Sequence, residues 1–425
     1  MDKLKYKEAR GYIASLTPRG IVPGLKTMET LCAALGNPQD KIRTIHIAGT
    51  NGKGSAGAFV SSILRAAGYT VGRYVSPAVT EYREIIRLND EYISEEDYAV
   101  IVSAVKRAAE SAEKQGIYPT SFEAETAAAF LYFSEKCCDF AIIECGMGGL
   151  LDATNIIKKP EAAVITSISM DHMKFLGDTI EEIAGNKAGI IKSGIKVFSA
   201  RQNSVALRVI KEKCEKEGAF LTAAAKPIIR RAELAGICFD YRELHDLYIP
   251  FAGLYQPENA AAAIDLCKAL DIDRDTIRKG LRDTKWPLRF EIDSSGWIFD
   301  GAHNEDAAKQ LRDTIDILSA GKKLAYIVGV FSDKAYDKIM QLTAPAADTI
   351  YTVKPPGNRG LSSSVLAETA GKYCKKVIDA ESTANAVRLC AGETYDNVIV
   401  FGSLSFLAQI KKEKESIYEQ MSKDN

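Results

Sequence analysis

Three features that would direct a protein out of the cytosol are missing from this 425-residue sequence. No apolar run approaches the length of a membrane-spanning helix, and the first ten residues are charged and lack the apolar core of a signal peptide. The nine cysteines contain no Cys-x-x-Cys pair, and several stand in apolar runs, which is typical of reduced thiols rather than a disulfide framework. We therefore expect a soluble, cytoplasmic protein with no membrane partner.

The sequence also lacks an excess of charge of either sign. Its 55 lysines and arginines nearly balance its 56 aspartates and glutamates, so no bulk field favours nucleic acid or an anionic surface. We expect no nucleic-acid partner, and any basic groove must be local. The chain is long enough for two or more domains with sizeable cores.

The most informative segment is a glycine-rich turn between a buried strand, predicted over residues 42–48, and a helix. Glycines let backbone N–H groups approach an anion, and the helix N-terminus and a lysine add positive potential. The spacing departs from G-x-x-x-x-G-K-[ST], so a purely structural turn stays an alternative, but the order of elements favours a nucleoside triphosphate. The predicted ATP-binding residues of this loop are Gly49, Thr50, Asn51, Gly52, Lys53, Gly54 and Ser55.

Three further residues stand where chemistry is expected. Glu144 ends a predicted buried strand, a position suited to holding Mg²⁺ near phosphates, although a solvated loop carboxylate would look the same. Lys187 lies in the small, apolar run KAGII, an unusual place for a free ammonium group, although a solvated helix face is the alternative. His172 follows another buried strand, but a lone histidine is more often structural than functional.

Two helix starts are predicted from capping patterns. Thr179 and Glu182 form the T-x-x-E pattern of a capping box at the start of the helix that carries Lys187. Ser121 is predicted to be the N-cap of a helix over residues 121–136.

From residue 297 the pattern of strands and helices starts again. Apolar strands near 297–300, 324–330, 347–353, 375–379 and 397–401 alternate with helices. The predicted fold class is α/β: an N-terminal P-loop-type ATPase domain with a central, mostly parallel sheet, and a smaller C-terminal Rossmann-like domain. Trp286-Pro287 breaks a helix, so we place the ATP-binding domain at 1–286, a hinge linker at 287–290 and the C-terminal domain at 291–425.

These segments follow the order of a known family. The sequence resembles the folylpolyglutamate synthase/dihydrofolate synthase family of the Mur ligase superfamily in the strings GTNGKGS, SP, GMGGLLDATN, DH, KAGI, QPENA, RFE and DGAHN. The resemblance spans nearly the whole chain. It implies an ATP-dependent ligase that adds L-glutamate to folates through an acyl phosphate, and also to dihydropteroate. The sequence departs from the family's usual residues at Ala78, Leu150, Asn186 and Ala335.

The resemblance also implies residue roles. Magnesium ligands are implied at Ser76, Glu144 and His172, and a carbamylated Lys187 is implied as a ligand of a second Mg²⁺. Lys187, His172 and Asp171 are the predicted catalytic residues, Asp171 supporting the histidine. Further ATP contacts are implied at Asn259, Arg289, Asp300 and His303. The implied pterin or folate contacts are Thr120, Ser121, Phe122, Glu123, Leu151, Asp152 and Ala153.

The predicted cofactors and partners follow from the same resemblance. They are ATP as co-substrate, Mg²⁺ at two sites, a monovalent cation such as K⁺, L-glutamate, and a folate or dihydropteroate, and the protein is expected to be a monomer. Two alternatives stay open. One is a Mur-type ligase acting on another carboxylate, although we expect no additional UDP-binding domain, because the phosphate loop begins at Gly49. The other is a non-catalytic nucleotide-binding homologue, which the four departures favour and the retained site residues oppose.

Overall fold

The computed structural model describes residues 4–424, with side chains up to residue 419, and its packing divides the chain into two units. The first unit contains the chain up to Pro227 together with Glu258–Thr284. The second contains Ile228–Pro257 and the chain from Lys285 onward. The packing thus groups residues 228–257 with the C-terminal half, whereas the sequence pattern assigned them to the N-terminal domain. The boundaries at 286 and 290 stay a prediction.

The first unit is built on a mostly parallel sheet. Its strands are β1 (Thr44–Ala48), β2 (Val71–Tyr74), β3 (Ile86–Leu88), β4 (Glu91–Tyr92), β5 (Phe140–Glu144), β6 (Ala162–Ile165), β7 (Lys196–Ser199) and β8 (Phe220–Ala223). Their order is β4-β3-β2-β5-β1-β6-β7-β8, and only β3 and β4 run antiparallel to their neighbours. Every residue of β1, β5 and β6 is buried, because helices cover both faces of a parallel sheet.

Among the described residues up to Arg282, the chain forms ten α-helices. They are α1 (Tyr6–Leu16), α2 (Lys26–Ala34), α3 (Lys53–Ala66), α4 (Glu95–Glu113), α5 (Ser121–Glu135), α6 (Met173–Leu176), α7 (Ile180–Lys187), α8 (Ser204–Glu217), α9 (Gln256–Ala269) and α10 (Arg274–Arg282). One apolar core joins α1, α2, α4 and α5 to the sheet, and another joins α7 and α8 to it. These cores hold the carboxyl ends of the central strands in fixed positions.

The second unit contains two sheets. Its strands are β9 (Ile228–Glu233), β10 (Gly236–Tyr241), β11 (Leu244–Ile249), β12 (Glu291–Ile292), β13 (Trp297–Phe299), β14 (Leu324–Val328), β15 (Thr349–Val353), β16 (Val377–Glu381) and β17 (Asn397–Phe401). The first three form an antiparallel sheet, and the others form a six-stranded sheet in the order β12-β13-β17-β14-β15-β16. Its helices are α11 (Glu305–Leu318), α12 (Tyr336–Thr343), α13 (Ser363–Gly371), α14 (Thr383–Ala391) and α15 (Leu404–Asp424).

Particular contacts explain why residues 228–257 group with the second unit. Leu234 packs against the apolar core around β14 and α11, and Ala252 is part of that core. The backbone N–H of Leu254 donates to Thr314 Oγ1 on α11 at 3.1 Å. Hydrophobic periodicity in the sequence does not reveal such tertiary contacts.

The predicted fold class is confirmed, and one helix start is corrected. The five strands predicted after residue 296 are present as β13 to β17. The N-cap of α5 is Thr120 rather than Ser121, because Thr120 and Glu123 form a capping box and Ser121 is already the first helical residue. Within residues 4–424, none of the helices is both long and apolar enough to cross a membrane.

Candidate active site

The phosphate loop joins β1 to α3 at the carboxyl edge of the central sheet. Because β1 lies between β5 and β6, the ends of three buried strands meet here. Gly49 (φ +154°) lies against Thr166, whose Oγ1 would be 1.8 Å from an added Cβ. Gly52 (φ +85°) lies against Asn259, whose Oδ1 would be 2.1 Å from an added Cβ. Both positions therefore require glycine, and the structure places Asn259 beside the loop.

Two lysines converge on one carbonyl oxygen of this loop. Lys53 Nζ donates to Gly49 O at 3.2 Å and to Thr50 O at 3.3 Å, and Lys187 Nζ donates to Gly49 O at 2.8 Å. Burial, and then the charge of Lys53, lower the pKa of Lys187 to about 7. The Lys187 amine is therefore neutral in a large fraction of molecules near pH 7.

The predicted metal ligands lie on neighbouring strands of the same sheet edge. Glu144 is buried at the end of β5, and its Oε1 is 4.0 Å from Lys53 Nζ. Tyr74 of β2 pairs with Ile143 of β5, so Ser76 follows β2 at the level where β5 ends. Within residues 4–424, no three His, Cys, Asp or Glu side chains cluster as a metal site. Glu144 and a hydroxyl fit Mg²⁺, which is bound by one or two carboxylates with substrate phosphates.

Asp171 and His172 lie beyond the end of β6. Their nearest ionisable atoms, His172 Nε2 and Asp171 Oδ2, are 3.9 Å apart, and the Asp171 carboxylate also accepts from the backbone N–H of His172 at 2.8 Å. The histidine side chain is 39% exposed, whereas that of the aspartate is 9% exposed. His172 has the left-handed φ of +51° at the start of α6. The backbone N–H of His172 thus holds the Asp171 carboxylate beside a partly exposed histidine ring.

The residues predicted to contact the pterin differ in their burial and in their partners within the protein. Thr120 and Glu123 are buried and engage each other, since Glu123 Oε2 accepts from the backbone N–H of Thr120 at 2.8 Å. Phe122 lies over Gly146, where an added Cβ would be 2.6 Å from the ring. Leu151 is exposed, while Ala153 is buried. Asp152 is buried, and its Oδ2 accepts from the backbone N–H of Met147 at 2.8 Å.

The second unit brings together three of the residues predicted to bind ATP. Asp300 directly follows β13, and an added Cβ on Gly301 would be 2.7 Å from Arg289 Nη1. His303 Nδ1 is 2.8 Å from Gly301 O. The Asp300 carboxylate accepts from Tyr255 Oη at 2.5 Å, and burial raises the pKa of Asp300. Tyr255 was missed from the sequence, where its one signal is a hydroxyl directly before the QPENA string.

A second residue missed from the sequence is His46, in the middle of β1. It is completely buried, and its Nε2 is 2.8 Å from Thr154 Oγ1 and 3.2 Å from Cys145 Sγ. Burial lowers the pKa of His46 to about 3, so its ring is neutral at physiological pH. The apolar strand TIHIA suggested only a core position.

A glycine loop with two lysines, in a chain of two α/β units, is typical of a nucleotide-binding α/β protein. A model of the Mur ligase middle domain matches residues 47–267, and a model of the Mur ligase, glutamate ligase domain matches residues 288–404. Dihydrofolate synthase/folylpolyglutamate synthase of Bacillus subtilis is 35% identical over 426 residues, which cover 96% of this chain and 98% of that protein. The chain belongs to the folylpolyglutamate synthase/dihydrofolate synthase family of the Mur ligases.

Solved structures give the same result. Mycobacterium tuberculosis folylpolyglutamate synthase complexed with ADP is 28% identical with a TM-score of 0.88, covering 96% of this chain and 97% of that one. An Escherichia coli protein in complex with DHPP and ADP is 28% identical with a TM-score of 0.88, covering 98% of this chain and 99% of that one. The similarity therefore extends through both units of the chain.

Proposed function

We propose that this protein is an ATP-dependent ligase that adds L-glutamate to folates and, as a second activity, to dihydropteroate. The observation that carries the proposal is the phosphate loop with Lys53 and the buried Lys187 on the carbonyl of Gly49, in a chain so similar to the Bacillus subtilis enzyme. The ADP, AMPPCP and DHPP complexes of related structures support a nucleotide and a pterin as ligands.

The reaction requires activation, because a carboxylate and an amine do not condense in water. An oxygen of the folate carboxylate attacks the γ-phosphorus of ATP, the bond to the β–γ bridging oxygen breaks, and ADP leaves. The glutamate nitrogen then attacks the acyl carbon, loses a proton, and phosphate leaves. Lys53 and the N–H groups at the start of α3 would stabilise the charge on the transferring phosphoryl group.

The proposal includes Mg²⁺ at two sites. Ser76, Glu144 and His172 would hold the first ion, with Asp171 orienting the histidine. When bound, Mg²⁺ supplies positive charge to the phosphate oxygens. We also retain K⁺ and a monomeric state as parts of the proposal.

We further propose that Lys187 carries a carbamate. Its neutral amine adds to CO₂, forming an N–C bond and releasing a proton, so that an anion replaces a cation beside Lys53. The lowered pKa of Lys187 supports this reaction, because only the neutral amine is nucleophilic. The carbamate oxygens would hold the second Mg²⁺.

The carbamate is tested by ¹³C NMR of protein equilibrated with ¹³CO₂. We expect a carbamate signal in the wild type that disappears in Lys187→Ala and persists in the matched control Lys192→Ala, which replaces a half-buried lysine that is not among the predicted site residues. A wild-type spectrum without the signal would contradict the proposal.

The proposed nucleotide contacts outside the loop are Asn259, Arg289, Asp300 and His303. Asn259 lies against Gly52, and the Asp300 carboxylate is suited to accept hydrogen bonds from hydroxyl groups. The Arg289 guanidinium presents the planar fork of donors that phosphate oxygens accept. For the pterin, Phe122 offers a ring face and Asp152 a carboxylate, and Ser121, Leu151 and Ala153 are further proposed contacts.

The function is tested by ADP release with ATP, Mg²⁺ and L-glutamate, with dihydropteroate and tetrahydrofolate offered separately. Turnover with both is expected, and turnover with tetrahydrofolate alone would restrict the protein to polyglutamate synthesis. Turnover with dihydropteroate alone would overturn the first activity. Nucleotide binding without turnover of either would support a non-catalytic homologue or a ligase for another carboxylate.

A further inference from the structure

A chain of buried hydrogen bonds connects the central strand β1 to the carboxylate of Asp152. His46 Nε2 is 2.8 Å from Thr154 Oγ1, which is 2.6 Å from Asp152 Oδ1. The backbone N–H of Thr154 donates to the same carboxylate oxygen at 3.0 Å. Asp152 Oδ2 accepts from the backbone N–H of Met147 at 2.8 Å. All three side chains are buried, and His46 and Thr154 have no exposed surface.

When Asp152 is ionised, one arrangement of protons fits the distances best, because Thr154 Oγ1 is 2.6 Å from Asp152 Oδ1 but 3.4 Å from Cys145 Sγ, which itself lies 3.2 Å from His46 Nε2. An ionised carboxylate can only accept hydrogen bonds, so the single hydroxyl proton of Thr154 is directed to Asp152. A lone pair of Thr154 Oγ1 then faces His46, which must donate from Nε2. Because the buried ring is neutral, its Nδ1 carries no proton. Within the described residues, that Nδ1 has no hydrogen-bond partner, which agrees with this tautomer.

The two carboxylate oxygens of Asp152 differ in the number of hydrogen bonds that they accept. Oδ1 accepts two hydrogen bonds from Thr154, and Oδ2 accepts one from Met147. The neighbouring Gly146 supports the ring of Phe122, which gives an aromatic surface close to Met147 in the chain. A pterin combines a flat ring with N–H donors on one edge, so it matches an aromatic face beside a carboxylate oxygen that can still accept.

We propose that His46 and Thr154 are positioning residues that aim the Asp152 carboxylate at the N–H edge of the pterin. This inference rests on the proposed function. Thr154 fixes Oδ1, so Oδ2 faces the substrate, and His46 fixes the hydroxyl of Thr154. Both residues act through the Asp152 carboxylate, so their effect is confined to recognition of the pterin.

The central experiment compares steady-state kinetics of Thr154→Val and Thr154→Ser. Valine keeps the shape and removes the hydroxyl, so the KM for dihydropteroate is expected to rise about tenfold, as for loss of a hydrogen bond to a charged group. The kcat and the KM for ATP should change less than about twofold. Serine restores the hydroxyl and is expected to return the KM towards that of the wild type.

The matched control is Thr284→Val. Thr284 is a buried threonine of the same unit, and its hydroxyl donates to Gly280 O at 2.7 Å, outside the proposed site. It should leave the KM for dihydropteroate unchanged. An unchanged KM in Thr154→Val, or a loss confined to kcat, would overturn the inference. A wild type without turnover would instead refute the proposed function.

A measurement on the wild type keeps the inference testable even if the valine variant does not fold. ¹⁵N NMR of histidine-labelled protein distinguishes the two neutral tautomers of His46, one of four histidines in the chain. We expect the proton on Nε2, with the resonance assigned by its loss in His46→Gln. A proton on Nδ1 would contradict the hydrogen-bond chain and with it the role of Thr154.

Discussion

At the scale of single residues, the glycines of the phosphate loop are the sharpest test of the site. Gly52 has a left-handed φ and no room for a Cβ beside Asn259, so Gly52→Ala should destabilise the fold by about 1–3 kcal/mol and weaken nucleotide binding. Gly11, inside α1, has open space around it, so Gly11→Ala should instead stabilise the protein by about 0.5–1 kcal/mol. Urea unfolding and ADP titration measure both effects, and equal effects of the two substitutions would contradict the argument.

Buried His46 gives a second prediction, on the pH dependence of stability. Its pKa is about 3 in the folded protein and about 6.5 in an unfolded chain. Its contribution is thus fully present above pH 6.5 and is lost as the pH falls towards 3. The free energy of unfolding of the wild type should fall, relative to that of His46→Gln, by about 1.4 kcal/mol per pH unit below pH 6.5. Urea unfolding at pH 7.5 and 5.5 measures the difference, and parallel pH profiles would refute it.

Sequence reasoning selected residues that stand in distinctive local patterns. It missed residues whose hydrogen-bond partners are distant in the sequence. Lys53 stands in a glycine-rich turn, and Lys187 stands out in an apolar run. His46 and Tyr255 acquire their meaning from partners 108 and 45 residues away. No spacing rule relates such pairs, because only the packed sheet or unit brings them together.

At the scale of elements, the capping box of α7 supports the helix that carries Lys187. Thr179 Oγ1 accepts from the backbone N–H of Glu182 at 3.2 Å, and Glu182 Oε2 accepts from the backbone N–H of Thr179 at 3.1 Å. Thr179→Ala should lower the free energy of unfolding by about 1 kcal/mol, and Thr179→Ser should preserve it. Urea unfolding decides this, and identical midpoints for the alanine variant and the wild type would show that the cap is dispensable.

Helices and strands were predictable where hydrophobic periodicity is strong, and their ends were less so. The T-x-x-E pattern of Thr179 also occurs at Thr120. Serine and threonine are both favoured at the N-cap, so the sequence alone does not distinguish Ser121 from Thr120 as the N-cap of α5. The antiparallel sheet of β9, β10 and β11 was not predicted from the sequence. Strand pairing depends on contacts across turns and between elements, which a single sequence does not display.

At the scale of the whole molecule, nucleotide binding should increase the free energy of unfolding. A ligand that binds only the folded protein stabilises it by about 2.7 kcal/mol when present at 100 times its Kd. We expect ADP with Mg²⁺ to raise the unfolding midpoint of the wild type and of Lys192→Ala, and to raise that of Lys53→Ala much less at the same concentration. Lys53 contributes the full positive charge at the loop, whereas Lys192 lies outside it.

The same measurement bears on whether this chain is a catalyst or only a nucleotide-binding homologue. Both possibilities predict stabilisation by ADP, so a shift of the unfolding midpoint in the wild type alone does not distinguish them. Lys187→Ala distinguishes them, because the buried amine contacts Gly49 O but is proposed to act through a carbamate. In an enzyme, that variant should keep most of the ADP shift and lose turnover by several orders of magnitude. If turnover survives the substitution while the fold is intact, Lys187 is a structural residue and the catalytic role proposed for it is wrong.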